Sequence, residues 1–388
     1  MTLIKCEECG RDVSTKAKNC PNCGVQIKTL FSRIGEFVGE LKGDLEKRKD
    51  QAKTENSHNR KDAEADELIL IEAVHSRCSL DTVNSILKEG IDVNTKEKNG
   101  RTALMFAASG KDPKIVKALV EAGADVNAKD NDGFSALSNA IKNEQTDIVR
   151  ILLHAGADVN NSYKDGFTAL IYASAKKHKD ILKALINFGA DFEAKTVLGE
   201  TALMYAVTRD ADLVDILLRA GADVNAKNNE GETALMYASS RHGREDVRLG
   251  TPIIDTEDMM KFVGLSRLLP PDIEKILPQL LKSSADLDAK SNKGETALMY
   301  AVRKGSKETI KTLAKAGADL NATNDDGYTS LMIAVEKNEY NKIITLLELG
   351  ADANIKAKDG QTALKLAKSK WVGNKQLIKA LVDYGARI

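Results

Sequence analysis

Four of the five cysteines stand near the start of the chain, as Cys6-x-x-Cys9 and Cys20-x-x-Cys23. Two C-x-x-C knuckles can set four thiolates tetrahedrally around a single ion. Pro21 and Gly24, in and after the second knuckle, let backbone amides turn toward sulfur. The expected cofactor is one structural Zn2+. Two disulfides are the competing chemistry, but no secretory leader precedes the motif, which favours reduced thiolates and a cytoplasmic location. Iron also takes four thiolates, and no residue here selects it. The fifth cysteine, Cys78, is alone and reads as a buried thiol rather than a nucleophile.

No second constellation carries chemistry. His58, His75, His154, His178 and His242 have no partner at metal or triad spacing, and no Walker loop, dinucleotide fingerprint, HExxH or GxSxG occurs. The chain therefore reads as non-enzymatic. With 57 basic and 57 acidic residues, no global field favours nucleic acid or an anionic membrane. Around the cysteines, Lys5, Arg11, Lys16 and Lys18 oppose Glu7, Glu8 and Asp12 without any aromatic, which disfavours nucleic acid as a partner. No apolar run approaches the roughly 18 residues of a membrane span.

The elements that must position any binding residues are repeats. The phrase Gly-Glu-Thr-Ala-Leu-Met-Tyr-Ala is intact from Gly199, Gly231 and Gly294, and variants begin at Gly100, Gly133, Gly166, Gly327 and Gly360. Successive glycines are 33, 33, 33, 32, 63, 33 and 33 residues apart. A fixed period of this size marks a repeat array rather than one globular core. A Gly-Ala-Asp-Val-Asn type phrase precedes most copies by 10 residues, as Gly123 precedes Gly133. The rest of each unit holds two apolar-periodic runs, which read as short antiparallel helices. Threonine can cap the first helix, and glycine can end the second in the left-handed conformation.

These phrases resemble the ankyrin repeat across residues 66–388. The family's usual Thr-Pro-Leu-His is here Thr-Ala-Leu-Met, without the proline that pre-sets helical φ. Residues 4–25 resemble the short zinc ribbon at the N-terminus of many bacterial proteins. The fold class is thus mainly α: an ankyrin-repeat solenoid of helix pairs with hairpin loops, preceded by a small four-Cys zinc ribbon. The expected domains are a ribbon at 1–25, an amphipathic helix and charged linker at 26–65, and about nine repeats at 66–388. The first repeat should hold helices at Glu67 to His75 and Leu80 to Leu87, and Trp371 and Tyr384 should close the far end. The resemblance implies protein recognition through the concave face formed by hairpins and first helices.

Between ribbon and repeats, Ile27, Leu30, Phe31, Ile34, Phe37, Val38, Leu41 and Leu45 line one helical face. Three ways to bury it remain open: docking on the first repeat, self-association, or contact with a membrane surface, all through residues 27–45.

Several groove positions are candidates. The residue after each turn glycine varies as Arg101, Phe134, Phe167, Glu200, Glu232, Glu295, Tyr328 and Gln361, which suggests exposure at the hairpin. Phe134 and Phe167 offer a partner an apolar anchor, with packing between hairpins as the alternative. Basic residues recur ten positions after the glycine, including Lys176, Arg209, Arg241, Lys304, Lys337 and Lys370. They form a stripe for an acidic partner or complement the helix end. Tyr172, Tyr205, Tyr237 and Tyr300, beside Met204, Met236 and Met299, read as a stacking core.

The 63-residue step places a 30-residue insertion at about 241–271 in the sixth repeat. Met259, Met260 and Phe262 make it more apolar than a solvated loop needs. The same repeat has Pro278 inside its second helix and Ser284 where the others have glycine, and clustered exceptions of this kind point to function. A tolerated surface insertion is the plainer alternative. Together these features describe an adaptor that binds protein through the concave face and the insertion. A ribbon-directed regulator of nucleic acid or its machinery, and a host-directed ankyrin effector, are the other readings.

Overall fold

The computed structural model describes residues 3–5, 12–14, 68–240, 273–371 and 373–387. The chain divides into two units, 1–66 and 67–388. In the first, β1 (Leu3–Lys5) and β2 (Asp12–Ser14) pair antiparallel with Ile4 opposite Val13. Residues 6–11, which include Cys6 and Cys9, join these strands. The four candidate zinc ligands and residues 27–45 lie outside the described residues.

Among the described residues the second unit holds nine helix pairs. Repeats one to four hold α1 (Ile69–His75) and α2 (Leu80–Lys88), α3 (Ala103–Ser109) and α4 (Pro113–Glu121), α5 (Ala136–Lys142) and α6 (Thr146–His154), and α7 (Ala169–Lys176) and α8 (Lys179–Asn187). Repeats five and six hold α9 (Ala202–Ala206) with α10 (Ala211–Ala220), and α11 (Ala234–Ser239) with α12 (Ile273–Lys282). Repeats seven to nine hold α13 (Ala297–Lys304) and α14 (Lys307–Lys315), α15 (Ser330–Glu336) and α16 (Tyr340–Glu348), and α17 (Ala363–Lys370) and α18 (Lys375–Asp383). Each first helix packs on the first helices beside it and on its own partner, and the second helices stack in another row. The core is therefore a line of repeated layers. Leu and Met of the Ala-Leu-Met phrase are buried in it, as at Leu104 and Met105, Leu203 and Met204, and Leu298 and Met299. Each such side chain contributes about 2 kcal/mol.

Two hydrogen-bond systems fix the spacing of the layers. In the first, Asn94 accepts from the Asp125 amide at 2.7 Å and donates to the Gly123 carbonyl at 3.2 Å, and Asn127 repeats this with Asp158 and Gly156. Asn225 does the same with Asp286 and Ser284, 61 and 59 residues away, so the frame closes across the insertion. The second system ties hairpin tips by backbone bonds, including Val197 N to Asp165 O, Asn229 N to Leu198 O and Asn292 N to Glu230 O. The approach is close enough that a Cβ on Gly199 would lie 2.6 Å from the Asn229 nitrogen.

The helix ends correct one expectation. Thr102, Ser135, Thr168, Thr329 and Thr362 cap their helices by accepting from the N3 amide, worth about 1 kcal/mol each. Thr201, Thr233 and Thr296, in the three intact phrases, make no such bond, and their hydroxyl oxygens are buried without a partner. In these three repeats a glutamate precedes the threonine and its carboxylate is drawn inward. At the other helix ends the expected left-handed residues occur. Ser284 replaces glycine there at φ 62°, and Pro278 lies within α12.

The two ends agree with expectation at Cys78 and Trp371 and differ at Tyr384. Cys78 is buried, and burial pushes its thiol pKa up. Trp371 ties the ninth repeat to the eighth through Nε1 and the Val335 carbonyl at 2.8 Å. Tyr384 does not close the stack but is 47% exposed, at the cap that follows the last turn of α18.

Candidate functional site: the repeat groove

Within each repeat, the hairpin and first helix present the residue after the turn glycine and the residue five positions later. In repeat two the Arg101 guanidinium lies 4.0 Å over the Phe106 ring, which also meets His75 edge-on at 4.8 Å. In repeat three a half-buried Phe134 stacks on Tyr163, centroids 5.5 Å apart. Phe167 is buried and lies edge-on to Tyr205 at 5.5 Å. Burial raises the Tyr163 pKa above its ordinary value. These side chains are apolar, or spread over an apolar ring, and require no counter-charge.

Repeats five to seven fill the same positions with glutamate and tyrosine. Glu200, 1% exposed, accepts from Tyr205 at 2.7 Å and from Tyr237 of the next repeat at 2.8 Å. The Asn228 amide donates to Tyr237 and to Glu232, both at 3.0 Å, and Glu232 accepts from Tyr300 at 2.5 Å. Glu295 accepts from Arg303 through Nε at 2.9 Å and Nη2 at 2.6 Å. Burial first, and then the Glu232 carboxylate, push the Tyr300 pKa up.

The residue after the turn glycine is thus not an exposed hairpin position. Phe167, Glu200 and Glu295 are buried, and Arg101, Phe134, Glu232, Tyr328 and Gln361 are half-buried. The strand leaving the turn directs this side chain over the first helix, where a ring, hydroxyl or guanidinium receives it. The tyrosines are the stacking core expected of them, with a hydrogen-bonded role that periodicity did not reveal. Tyr328 reaches toward Asp359, hydroxyl to carboxylate 3.4 Å, in the eighth repeat.

The basic positions sit at or just past the carboxyl end of first helices. Lys304 and Lys370 are in last turns, Lys337 is a cap, and Arg209 follows α9. Their charge there complements the exposed carbonyls. Lys370 meets Glu336 at 2.5 Å, and Lys176 lies 5.7 Å from the Tyr172 centroid. Arg241, Met259, Met260 and Phe262 lie outside the described residues. Three histidines are accounted for by packing or pairing: His75 on Phe106, His154 on Phe188, and His178 with Glu144 at 2.9 Å.

One surface residue escaped the sequence reading. Val197, at the hairpin tip of repeat five, is 58% exposed, the highest value among the large apolar side chains described. Its signal was available, since the two residues before every other turn glycine are charged or amides, whereas here they are Val197 and Leu198. Among the described residues, no helix is long and apolar enough to cross a membrane.

Comparison with known proteins agrees with this geometry. The family description "Ankyrin repeats (3 copies)" matches residues 70–163, 170–249 and 272–357. No curated protein sequence matches. Among 571 matching chains of solved structures is the ankyrin repeat domain of Bcl-3, described as a unique member of the IkappaB protein family. That domain is 26% identical over 63% of this chain and 96% of its own, with a TM-score of 0.51. Nine stacked helix pairs, and family matches that span more than half of the sequence, place the chain in the ankyrin-repeat family.

Proposed function

We propose that this protein is a non-enzymatic adaptor that recognises another protein through the groove and hairpin edge of its repeats. The observation that carries this reading is a constant frame with variable contents. Asparagine and backbone ladders recur from repeat to repeat, while the groove positions run from Arg101 and Phe134 through Glu200 to Tyr328 and Gln361. Such a frame holds a set of side chains preorganised for a partner, which lowers the entropy cost of binding. The resemblance to the ankyrin repeat domain of Bcl-3, a member of the IkappaB protein family, supports a role of this kind. The insertion, with Met259, Met260 and Phe262, would add a contact at the sixth repeat.

A photo-crosslinking residue placed at Tyr328 in the full chain should yield discrete protein adducts in cells. The same residue at Lys311, exposed on α14, should yield none. Adducts of equal number from both positions, or none from either, would defeat the reading.

The ribbon is a second proposal: Cys6, Cys9, Cys20 and Cys23 hold one structural Zn2+. Four thiolates suit that ion, and in the sequence Cys6 and Cys9 stand between the paired segments Leu3–Lys5 and Asp12–Ser14. Reduced full-length protein should contain about one zinc per chain, and Cys9→Ser should lose it. A metal-free wild-type chain, or cysteines found as disulfides, would refute this assignment.

A further inference from the structure

The ninth repeat turns a mixed face outward. At two positions of the first helix every other repeat has a buried side chain, as with Met204 and Met332 at one and Val207 and Val335 at the other. Even repeat one, with no described helix pair before it, buries Ile71 and Val74 there, so both positions face the layer that follows. Repeat nine has Lys365 and Lys368 instead, and both are exposed. Burying two unpaired ammonium groups is costly, so this face is not made for another repeat of the same kind.

The second helix of the same layer is not polar. Ile378 and Val382 take the positions at which Ile343 and Leu347 of repeat eight are buried, yet Ile378 is half-buried and Val382 is 51% exposed. A terminal repeat that had only to meet water would close its outer face with polar side chains. Repeat one follows that rule with half-buried Thr82, where repeats two to four bury Ile115, Ile148 and Ile181.

The charge of this end is one-sided. Helices α17 and α18 carry five exposed lysines against one exposed carboxylate, Asp383. One of the five, Lys370, meets Glu336 of repeat eight, which packs on the opposite side of the layer. Lys365 donates to the Gly360 carbonyl at 3.3 Å, a neutral partner that leaves its charge in place. A second copy of the chain, end to end, would set these lysines against their own kind.

We infer that the outer face of repeat nine docks an acidic amphipathic helix of a partner protein, with Ile378 and Val382 meeting its apolar side chains and Lys365 and Lys368 its carboxylates. The occupant is a helix because the inner repeats receive helices on this same face. The apolar contact holds the complex, while exposed ion pairs add selectivity and salt dependence more than raw affinity. The inference rests on the protein-recognition reading above and narrows it to one face and one charge class.

The test is selection of a phage library of 18-residue helical peptides on immobilised full-length protein, with enriched peptides measured by fluorescence anisotropy. Enriched peptides should place Asp or Glu beside Leu, Ile or Phe on one helical face. Val382→Lys should weaken them about tenfold or more, as should Lys365→Glu combined with Lys368→Gln. Both variants should melt within about 2 °C of wild type, since all three side chains are exposed and glutamate at 365 suits the first turn after Thr362. Basic peptides, or peptides indifferent to both variants, overturn the inference. So does a chain that is oligomeric in light scattering and becomes monomeric with Val382→Lys, or one that sediments with phosphatidylserine vesicles through the two lysines while enriching no acidic peptide. If affinity falls only with Tyr328→Ala in the groove, the end face is wrong and protein recognition stands. If no peptide is enriched the inference fails, and if crosslinking at Tyr328 is also empty the wider reading fails with it.

Discussion

In repeats two to four the residue after the turn glycine is Arg101, Phe134 or Phe167, each laid on an aromatic ring. In repeats five to seven it is Glu200, Glu232 or Glu295, each held by tyrosine hydroxyls, an amide or a guanidinium. The backbone is the same in both blocks, so the difference lies in what an interior position asks of its occupant. An apolar ring needs only contact and tolerates exchange for another of similar size. A buried carboxylate needs every oxygen satisfied, and a network that loses one member leaves the rest exposed to the cost of burial. The central block is therefore the specific one and the early block the adaptable one. The network also binds repeat six to repeat seven, through Tyr300 and Glu232.

The sharpest way to break this comparison is at Glu200. Glu200→Ala should cost about 3 kcal/mol in chemical denaturation, because it removes the buried carboxylate that both the Tyr205 and Tyr237 hydroxyls donate to. Gln361→Ala, at the same position in repeat nine, should cost under about 0.5 kcal/mol, since its Oε1 accepts nothing. Equal costs would remove the distinction between the blocks.

The capping threonines sharpen it further. Thr168→Ala should cost about 1 kcal/mol through loss of the bond from the Ile171 amide, whereas Thr201→Ala should cost a few tenths at most. A full cap penalty at Thr201 would show that the hydroxyl serves the helix in solution. Beside the insertion, Ser284→Gly should stabilise by roughly 0.5 to 1 kcal/mol, because φ 62° is strained for serine and open to glycine. A neutral or destabilising result there would mean that the serine side chain repays its strain.

The smallest expected effect belongs to His178, in the early block. Burial holds its pKa below the ordinary histidine value, although Glu144 pulls the other way. The unfolded chain then takes up a proton more readily than the folded one, so this contribution is present above the unfolded pKa of about 6.5 and fades as pH falls through it. His178→Gln should flatten the fall of stability below that pH. An unchanged profile would assign the acid sensitivity to other groups.

Much of this architecture was legible in the chain. The glycine spacing set eight of the repeats and the apolar runs after residue 66 the first, and the Ala-Leu-Met phrase named the buried side chains, because each layer is a local unit that sees only its neighbours. The extra residues within repeat six, the left-handed Ser284 and the helical Pro278 could be located by counting from one glycine to the next. The groove was read less well. Alternation after the turn glycine looked like exposure, since variability and polarity at Glu200 and Glu295 are the usual marks of a surface.

What the sequence determined by itself is everything carried by contacts within one repeat: helix pairs, turn glycines, most caps and the apolar faces. What only the tertiary structure decided is everything that passes between repeats. Glu200 is buried because Tyr237, 37 residues away, brings a hydroxyl to it, and the Asn225 ladder closes across 61 residues. Val197 is exposed because its tip is pinned by the tips on either side. Such contacts depend on how one layer is set against the next, and no periodicity within a single repeat encodes that distance.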